Sequence, residues 1–594
     1  PGATVDQTPQ VAEEPPDLSP VTRPSEVVVV GRIAHPRQLV ETLAQWSSLP
    51  FRVEDLVPSQ ARGLSQAVLW DAPVEALVAL DAFGDGKLPP PLMVASLGVK
   101  SLAAGLSAAE AMQIPARKLA PGVYRVGDLT DGSCALAASV GSSPARLVCG
   151  RTNRDVDTLL PYATRGLPSE AQTGADFELT LDAKPIHQRY GREVSALRLL
   201  AGVAQREVAL DSPRFDRALS DALYGAVDET INLFGDLDQI RLQARLDTTQ
   251  KQLLGSAELR LRGDSSWLAG TIAATKPAEL PTVLPRLPPD ATLACYSTAL
   301  PAERYTAIAR ILADLSEGFL EHEKLPPATR KRARHLLESW FTKLPESFGF
   351  AMSPSASDPL GYLHADTMLT RLSEPSARVL GAYGDFFALL SDPALKRWLK
   401  QKAKVDEKLW PKVSRKPLKL PGFKQPATAF EATFDGKALA SADPSIGKML
   451  ENLLPPADAK QLSRITIVVQ PDGEYTYVLT GDDTREMSRV MGEHKKAESG
   501  AKLLKPARSG KIVAAGFLTL AYVGRHIERL AKDARISKAI ASTPQHGATP
   551  IPFSSTTAPG SARLDLEIPA AVFSDASAAA VQAGPALKDA IEKR

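Results

Sequence analysis

The strongest constraint on this chain is an order of elements that occurs twice. Residues 26–46 open with Glu26 and the run Val27 to Val30, then place Leu39, Val40, Leu43 and Trp46 at helical spacing. Residues 291–315 follow the same plan. An apolar run from Ala291 to Tyr296 precedes Pro301, a residue suited to a helix start, and then Tyr305, Ile308, Ile311, Leu312 and Leu315 on one helical face. A strand feeding an amphipathic helix must bury that helix on a sheet, so the fold class is α+β.

Further pairs extend the series. Phe177–Lys184 and Phe430–Lys437 share five of eight residues and alternate apolar with polar positions, as half-buried strands do. Hairpins through Ile240, Leu242, Ala244 and Leu246 to Asp264, and through Ile465, Ile467 and Val469 to Asp482, complete the match. Two helices fit between Lys184 and Asp238, and one between Lys437 and Gln461. The expected architecture is therefore two tandem related lobes of antiparallel sheet packed with helices. A tether spans 1–25, the lobes span 26–285 and 290–510, and a closing strand–helix segment or partial third unit spans 511–594. Pro281, Pro285, Pro288 and Pro289 mark the linker.

At 594 residues the chain is too long for one core, and its 44% hydrophobic and 23% charged residues are ordinary for a globular protein. A net charge of +2 gives no strong field toward nucleic acid, and no apolar run reaches the roughly 18 residues of a spanning helix. The first 25 residues carry Pro9, Pro15, Pro16, Pro20 and Pro24 with four acids and few large apolar groups, which predicts a disordered spacer. Such spacers follow the processing site of exported or lipid-anchored proteins. The expected location is extracytoplasmic, in the periplasm or at the cell surface, with any lipid anchor upstream of Pro1.

Cys134 and Cys149 flank Gly141-Ser142, and the small and apolar residues between them read as a hairpin with glycine supplying positive φ. Val140 then faces Ser143, and six residues outward on each arm Cys134 faces Cys149, on one face of the sheet. Opposed cysteines can be bridged, and a bridge belongs to an oxidising compartment; two buried thiols are the alternative. Cys295, in an apolar strand-like run, reads as a core residue.

Motifs that commit a chain to a reaction are missing. Gly510-Lys511 lacks the rest of a phosphate loop, no Gly-x-Ser-x-Gly occurs, and His322-Glu323 is followed by Pro326 and Pro327 where a second zinc ligand would stand. The acidic stretches Asp81 to Asp85 and Asp236 to Asp238 lack the ligand count of a calcium loop. The reading is non-enzymatic, with no metal and no cofactor.

One surface is uneven. Residues 392–424 hold eleven Lys or Arg against three acids, among Trp398, Trp410 and Phe423. Lys396, Lys400, Lys404 and Lys408 recur every four residues, predicting a stripe on a helix started by Pro393 and ended by Pro411; beyond it Lys412, Arg415, Lys416, Lys419 and Lys424 continue in a proline-punctuated segment. This patch suits anionic lipid, acidic polysaccharide or an acidic protein, or is a solvated helix whose tryptophans pack inward. Phe177, Leu179, Leu181, Phe430 and Phe434 are candidate lining for an apolar ligand, or ordinary core.

Pro144-Ala-Arg-Leu-Val-Cys149-Gly and Leu160-Pro-Tyr-Ala-Thr-Arg-Gly-Leu-Pro168, behind a Pro-rich acidic leader, resemble uncharacterised two-lobed bacterial envelope lipoproteins and secreted proteins. The chain departs from them in lacking a lipid-bearing cysteine at its start. The resemblance implies no activity. The expected function is that of a scaffold, adaptor or complex subunit working through contacts with other envelope proteins. The alternatives are a carrier of an apolar or lipidic ligand, and an enzyme of unknown class.

Overall fold

A computed structural model describes residues 15–56, 65–81, 90–129, 132–141, 143–207, 213–279, 291–298, 301–342, 345, 347–353, 367–402, 410–433, 464–481, 483–496, 510–531 and 535–592. The chain is mixed α+β and forms two compact units. The first holds Pro1–Gly191 and Asp238–Ala257, the second Arg192–Leu237 and Glu258–Arg594.

The first half of the chain runs β1 (Val27–Ile33), α1 (Pro36–Ser47), β2 (Val74–Ala79), β3 (Leu92–Gly98), α2 (Leu102–Ala111), β4 (Ala116–Ala120), β5 (Val123–Leu129), β6 (Gly132–Ala137), β7 (Arg146–Gly150) and α3 (Asn153–Arg165). It continues with β8 (Phe177–Asp182), α4 (Lys184–Glu207), α5 (Pro213–Asp236), β9 (Leu237–Asp247), β10 (Gln252–Leu261) and α6 (Trp267–Ala274). The strand order is β4-β5-β6-β7-β3-β2-β1-β8-β9, antiparallel throughout, and β10 pairs with β9.

In the second half come β11 (Leu293–Thr298), α7 (Ala302–His322), α8 (Pro327–Thr342), β12 (Ser347–Ser353), β13 (Thr367–Leu372), α9 (Ser376–Leu390), α10 (Pro393–Lys402), β14 (Lys412–Leu418) and β15 (Ala427–Thr433). Then follow β16 (Arg464–Asp472), β17 (Tyr475–Gly481), α11 (Thr484–Lys496), β18 (Ala514–Leu518), α12 (Leu520–Ala531), α13 (Arg535–Ala541), β19 (Ile551–Ala558), β20 (Ser561–Pro569) and α14 (Ala570–Glu592). Its order is β14-β15-β16-β17-β13-β12-β11-β18-β19-β20, also antiparallel. Strand for strand, this is the first order advanced by ten.

The strands of each unit are covered on both faces. In the first unit α3 lays Val156, Leu159 and Ala163, each fully buried, on Leu77, Val94, Ala135 and Val148. A capping box starts this helix, with Thr152 and Asp155 each accepting from the other's backbone. On the other face Ala109 of α2 joins Val126, Leu136 and Leu147. In the second unit α11 puts Met487, Val490 and Met491 on Ala429, Val468 and Leu479. There α9 supplies Val379 and Phe387 to the opposite face, against Phe430, Ile467 and Val478. Burial on both sides explains why β6 reads Ser-Cys-Ala-Leu-Ala, an unbroken run of small and apolar residues. Each of the larger side chains contributes about 2 kcal/mol by leaving water.

Several expectations need correction. Phe177 and Phe430 do not hold matching places: β8 lies between β1 and β9, whereas β15 lies between β14 and β16. The partner of β8 in the second order is β18. The hairpin after Ile240 corresponds to β19–β20, and the one after Ile465 to β6–β7. The opening pair fares better, since β1–α1 and β11–α7 do occupy matching places. Residues after Lys511 fall within the second unit and complete its strand order, so they do not stand apart as a third copy. Residues 15–25 pack on the first unit instead of hanging free. Arg165 binds Asp17, Val21 packs against the α3 core, and the Val27 amide donates to the Pro24 carbonyl at 3.2 Å.

Candidate functional site

The basic segment divides into two structures. Helix α10 starts at Pro393, where the Asp392 carboxylate accepts from the amides of Ala394 (2.8 Å) and Leu395 (3.2 Å). Burial opposes the charge of Asp392, but the Thr329 hydroxyl, these amides and Arg332 outweigh it and hold its pKa down. Trp398 turns inward: its indole N–H donates to Glu323 at 2.8 Å and its ring stands edge-on to Phe319 at 5.8 Å. Lys396 lies 6.0 Å from the Trp410 ring centroid, while Lys400 is exposed. Lys404 and Lys408 lie outside the described residues.

Beyond Trp410, where a proline-punctuated segment is expected, the chain forms a strand. Alternation on β14 puts Lys412, Ser414 and Lys416 on one face and Val413, Arg415 and Pro417 on the other. Val413 enters the core around Phe430, and the Arg415 guanidinium lies 5.4 Å from that ring. Lys416 Nζ reaches the buried Glu431 carboxylate at 2.8 Å, and Arg464 stands at 4.0 Å. Burial penalises the Glu431 charge, yet the Lys416 contact and these cations leave its pKa below the ordinary value. Lys412, Lys419 and Lys424 are exposed with no acidic partner among the described residues. Among those residues β14 pairs only with β15, which makes it an edge strand. In the first unit β4 likewise pairs only with β5, and it carries Arg117 and Lys118 on a fully exposed strand.

Cys134 and Cys149 sit directly opposite each other on β6 and β7, their sulfurs bonded at 2.13 Å. Gly141 has φ +59°, and the Ser143 amide donates to the Val140 carbonyl at 3.2 Å, closing the turn. The bridge lies on the α2 face. On the α3 face is a buried ionic row: Arg32 is 2.8 Å and Arg146 is 3.2 Å from Glu75, which is 1% exposed. Arg146 also donates to the Pro73 carbonyl at 2.7 Å, and Arg32 to that of Leu167 at 2.8 Å. Burial lowers the pKa of Arg146, Glu75 pulls it back and neighbouring Arg32 lowers it further; guanidinium stays charged regardless. The row ties β1, β2 and β7 together. Cys295 is a free thiol on β11 whose pKa burial pushes up to about 11.

The candidate ligand-lining residues are divided between the two units. Phe430, 1% exposed, stacks on Phe387 at 5.3 Å within the second unit's core. Phe177, Leu179 and Leu181 are half-buried on β8 in the first unit, and Phe434 lies outside the described residues. A cleft of about 280 Å³ is lined by Pro16, Asp17, Gly122, Leu160 and Arg165, and another of about 340 Å³ by Arg214, Arg217, Asp221 and Asp314. Among the described residues, Phe177, Leu179, Leu181 and Phe430 border neither. In the first cleft the Ser19 hydroxyl and amide, together with Arg165, hold Asp17 down to a pKa of about 2.

Sequence reading missed the most unusual surface. Leu199 is 74% exposed, Leu200 64%, Leu223 61%, Leu197 56% and Val203 54%, all on α4 and α5. The signal was present as Ala196, Leu199, Leu200 and Val203 at helical spacing, but such a stripe ordinarily faces a core. Here the core-facing side is its opposite. Arg198 reaches Asp228 of α5 at 2.9 Å, and Gly202 lies beside Tyr224.

Among the described residues no cluster of three His, Cys, Asp or Glu is placed to hold a metal, and no helix is long and apolar enough to cross a membrane. Comparison with family models, curated proteins and solved structures finds no match to this chain.

Proposed function

We propose that this chain is a non-enzymatic, extracytoplasmic structural or binding protein of the cell envelope, built from two copies of one ten-stranded module and acting through protein–protein contacts. The observation that carries the reading is the exposed apolar face of α4 formed by Ala196, Leu199, Leu200 and Val203. Soluble proteins rarely leave a contiguous apolar stripe in water unless it has a partner. The bonded Cys134–Cys149 pair supports an oxidising compartment, and the repeated strand order supports the duplication. The resemblance to envelope lipoproteins and secreted proteins agrees with both.

A second reading has its own support. The exposed ammonium groups of Lys412, Lys419 and Lys424, which have no acidic partner among the described residues, fit attachment to an acidic polysaccharide or anionic headgroups at 392–424.

Native mass spectrometry on protein isolated from its own source tests the first reading. The expected spectrum contains a stoichiometric protein assembly and a chain two hydrogen atoms lighter than its fully reduced mass. A bare monomer with three free thiols would overturn it.

A further inference from the structure

We infer that the cleft beside Arg165 is a binding site for an extended proline-and-acid segment, and that the chain's own residues 15–19 fill it as a removable ligand. The site lies wholly within the first unit. Gly122 in the turn before β5, Ala137 at the end of β6, and Leu160, Pro161 and Arg165 of α3 line about 280 Å³ of space. Pro15, Pro16 and Asp17 complete the lining.

The two sides differ as a receptor differs from a ligand. Arg165 is fixed at the end of α3, its side chain 18% exposed. Asp17 is 70% exposed, and residues 15–20 stand in solvent without forming helix or strand. One Arg165 nitrogen binds the Asp17 carboxylate and stands 3.4 Å from the Asp17 carbonyl and 3.5 Å from the Ser19 hydroxyl. A single guanidinium thus meets three oxygens of the segment. The segment organises them by itself, because the Asp17 carboxylate accepts from the Ser19 amide at 3.0 Å and from its hydroxyl at 2.6 Å. Gly122 completes the fit. A Cβ there would lie 2.7 Å from Pro16, so a side chain at that position would hold the leader off.

Two features make this a docked ligand instead of a packed part of the fold. Interiors leave few gaps wider than a water, yet a cleft remains beside Pro15 and Pro16, so the site is roomier than its occupant. An ion pair this exposed also holds weakly, and prolines, whose φ is fixed, lose little freedom on docking. Val21 packs against the α3 core and anchors the chain there, which confines detachment to residues 15–20. Release leaves Arg165 and Gly122 open to a better-fitting segment of the same chemistry.

Time-resolved fluorescence anisotropy of the full chain, labelled at Leu18→Cys, tests the inference. Leu18 is 38% exposed, Cys134 and Cys149 are bridged, and burial keeps the Cys295 thiol protonated at neutral pH, so the dye goes to one place. With no other change, most of the dye should turn slowly with the whole molecule. Arg165→Ala should cut that slow fraction at least about twofold, and so should Asp17→Lys, a change confined to the exposed leader that cannot unfold the body. A free peptide with the sequence of residues 15–20, at about 10 mM to exceed the effective concentration of a short tether, should halve it as well. The same peptide with lysine in place of the aspartate should not. A slow fraction that survives both substitutions would make the leader a fixed part of the fold. A leader already free in the unsubstituted chain, or one that the peptide cannot displace, would equally overturn the inference.

Discussion

The hairpins β6–β7 and β16–β17 hold the same place in the two strand orders and are secured differently. In the second unit the ladder runs through seven residue pairs to Asp472 and Tyr475, and two residues, Gly473 at φ +66° and Glu474, make the turn. In the first unit it stops after five pairs at Ala137 and Arg146, and the chain closes more loosely through Val140 and Ser143. The shorter ladder is the one that carries a covalent bridge and a buried ionic row. Strands β12 and β17, which stand where β2 and β7 stand, contain no charged residue. One topology thus tolerates two ways of fixing register: hydrogen bonds carried to a tight turn, or cross-links between side chains.

The largest expected effect breaks the ionic row. Glu75→Ala leaves Arg146 buried without its countercharge and should cost about 3–5 kcal/mol. Hydrogen exchange should show protection lost across β1, β2 and β7 and retained in β16–β17; equal loss in both hairpins would refute the contrast. Next comes the bridge. Cys134→Ser with Cys149→Ser should cost about 3 kcal/mol, since the closed loop spans a separation of 15 residues. The loss should appear in the first unit's exchange alone, and the denaturation midpoint measures its size. The smallest effect sharpens the second unit's edge. Glu431 has a lowered pKa, so its ionised contacts stabilise the fold above the ordinary carboxylate value of about 4.3 and lose that contribution as pH falls through the lower folded value. Because Lys416 is 49% exposed, Lys416→Met should cost under about 1 kcal/mol. The difference between wild type and variant in urea titrations should vanish near pH 3; a difference that persists there would assign Lys416 a packing role.

What could be read from residues alone follows the range of the interactions involved. The pairing of Cys134 with Cys149 was legible because counting by two from a turn is a local operation. Phe177 and Phe430 misled because alternation describes any half-buried strand. Which neighbours β8 and β15 acquire is decided by pairings made far away in sequence, and neither octapeptide encodes them. The lysine spacing of four described α10 as far as Lys400, and Lys404 and Lys408 lie outside the described residues. The cue for β14 was the alternation of Lys412, Ser414 and Lys416 with Val413, Arg415 and Pro417. For α4 the stripe was visible but its direction was not. A periodic apolar face says that something covers it, and only the placement of Arg198 and Gly202 against α5 shows that this chain's own core does not.

The edge strands of the two units, β4 and β14 among the described residues, share one further trait: both meet solvent with arginine and lysine on them. Open backbone amides at a sheet margin can seed head-to-tail stacking of copies into fibres, and like charges brought together there repel. Neutralising Arg117, Lys118, Lys412 and Lys416 together would remove that electrostatic barrier from both strands and leave their open amides free to recruit further copies edge to edge.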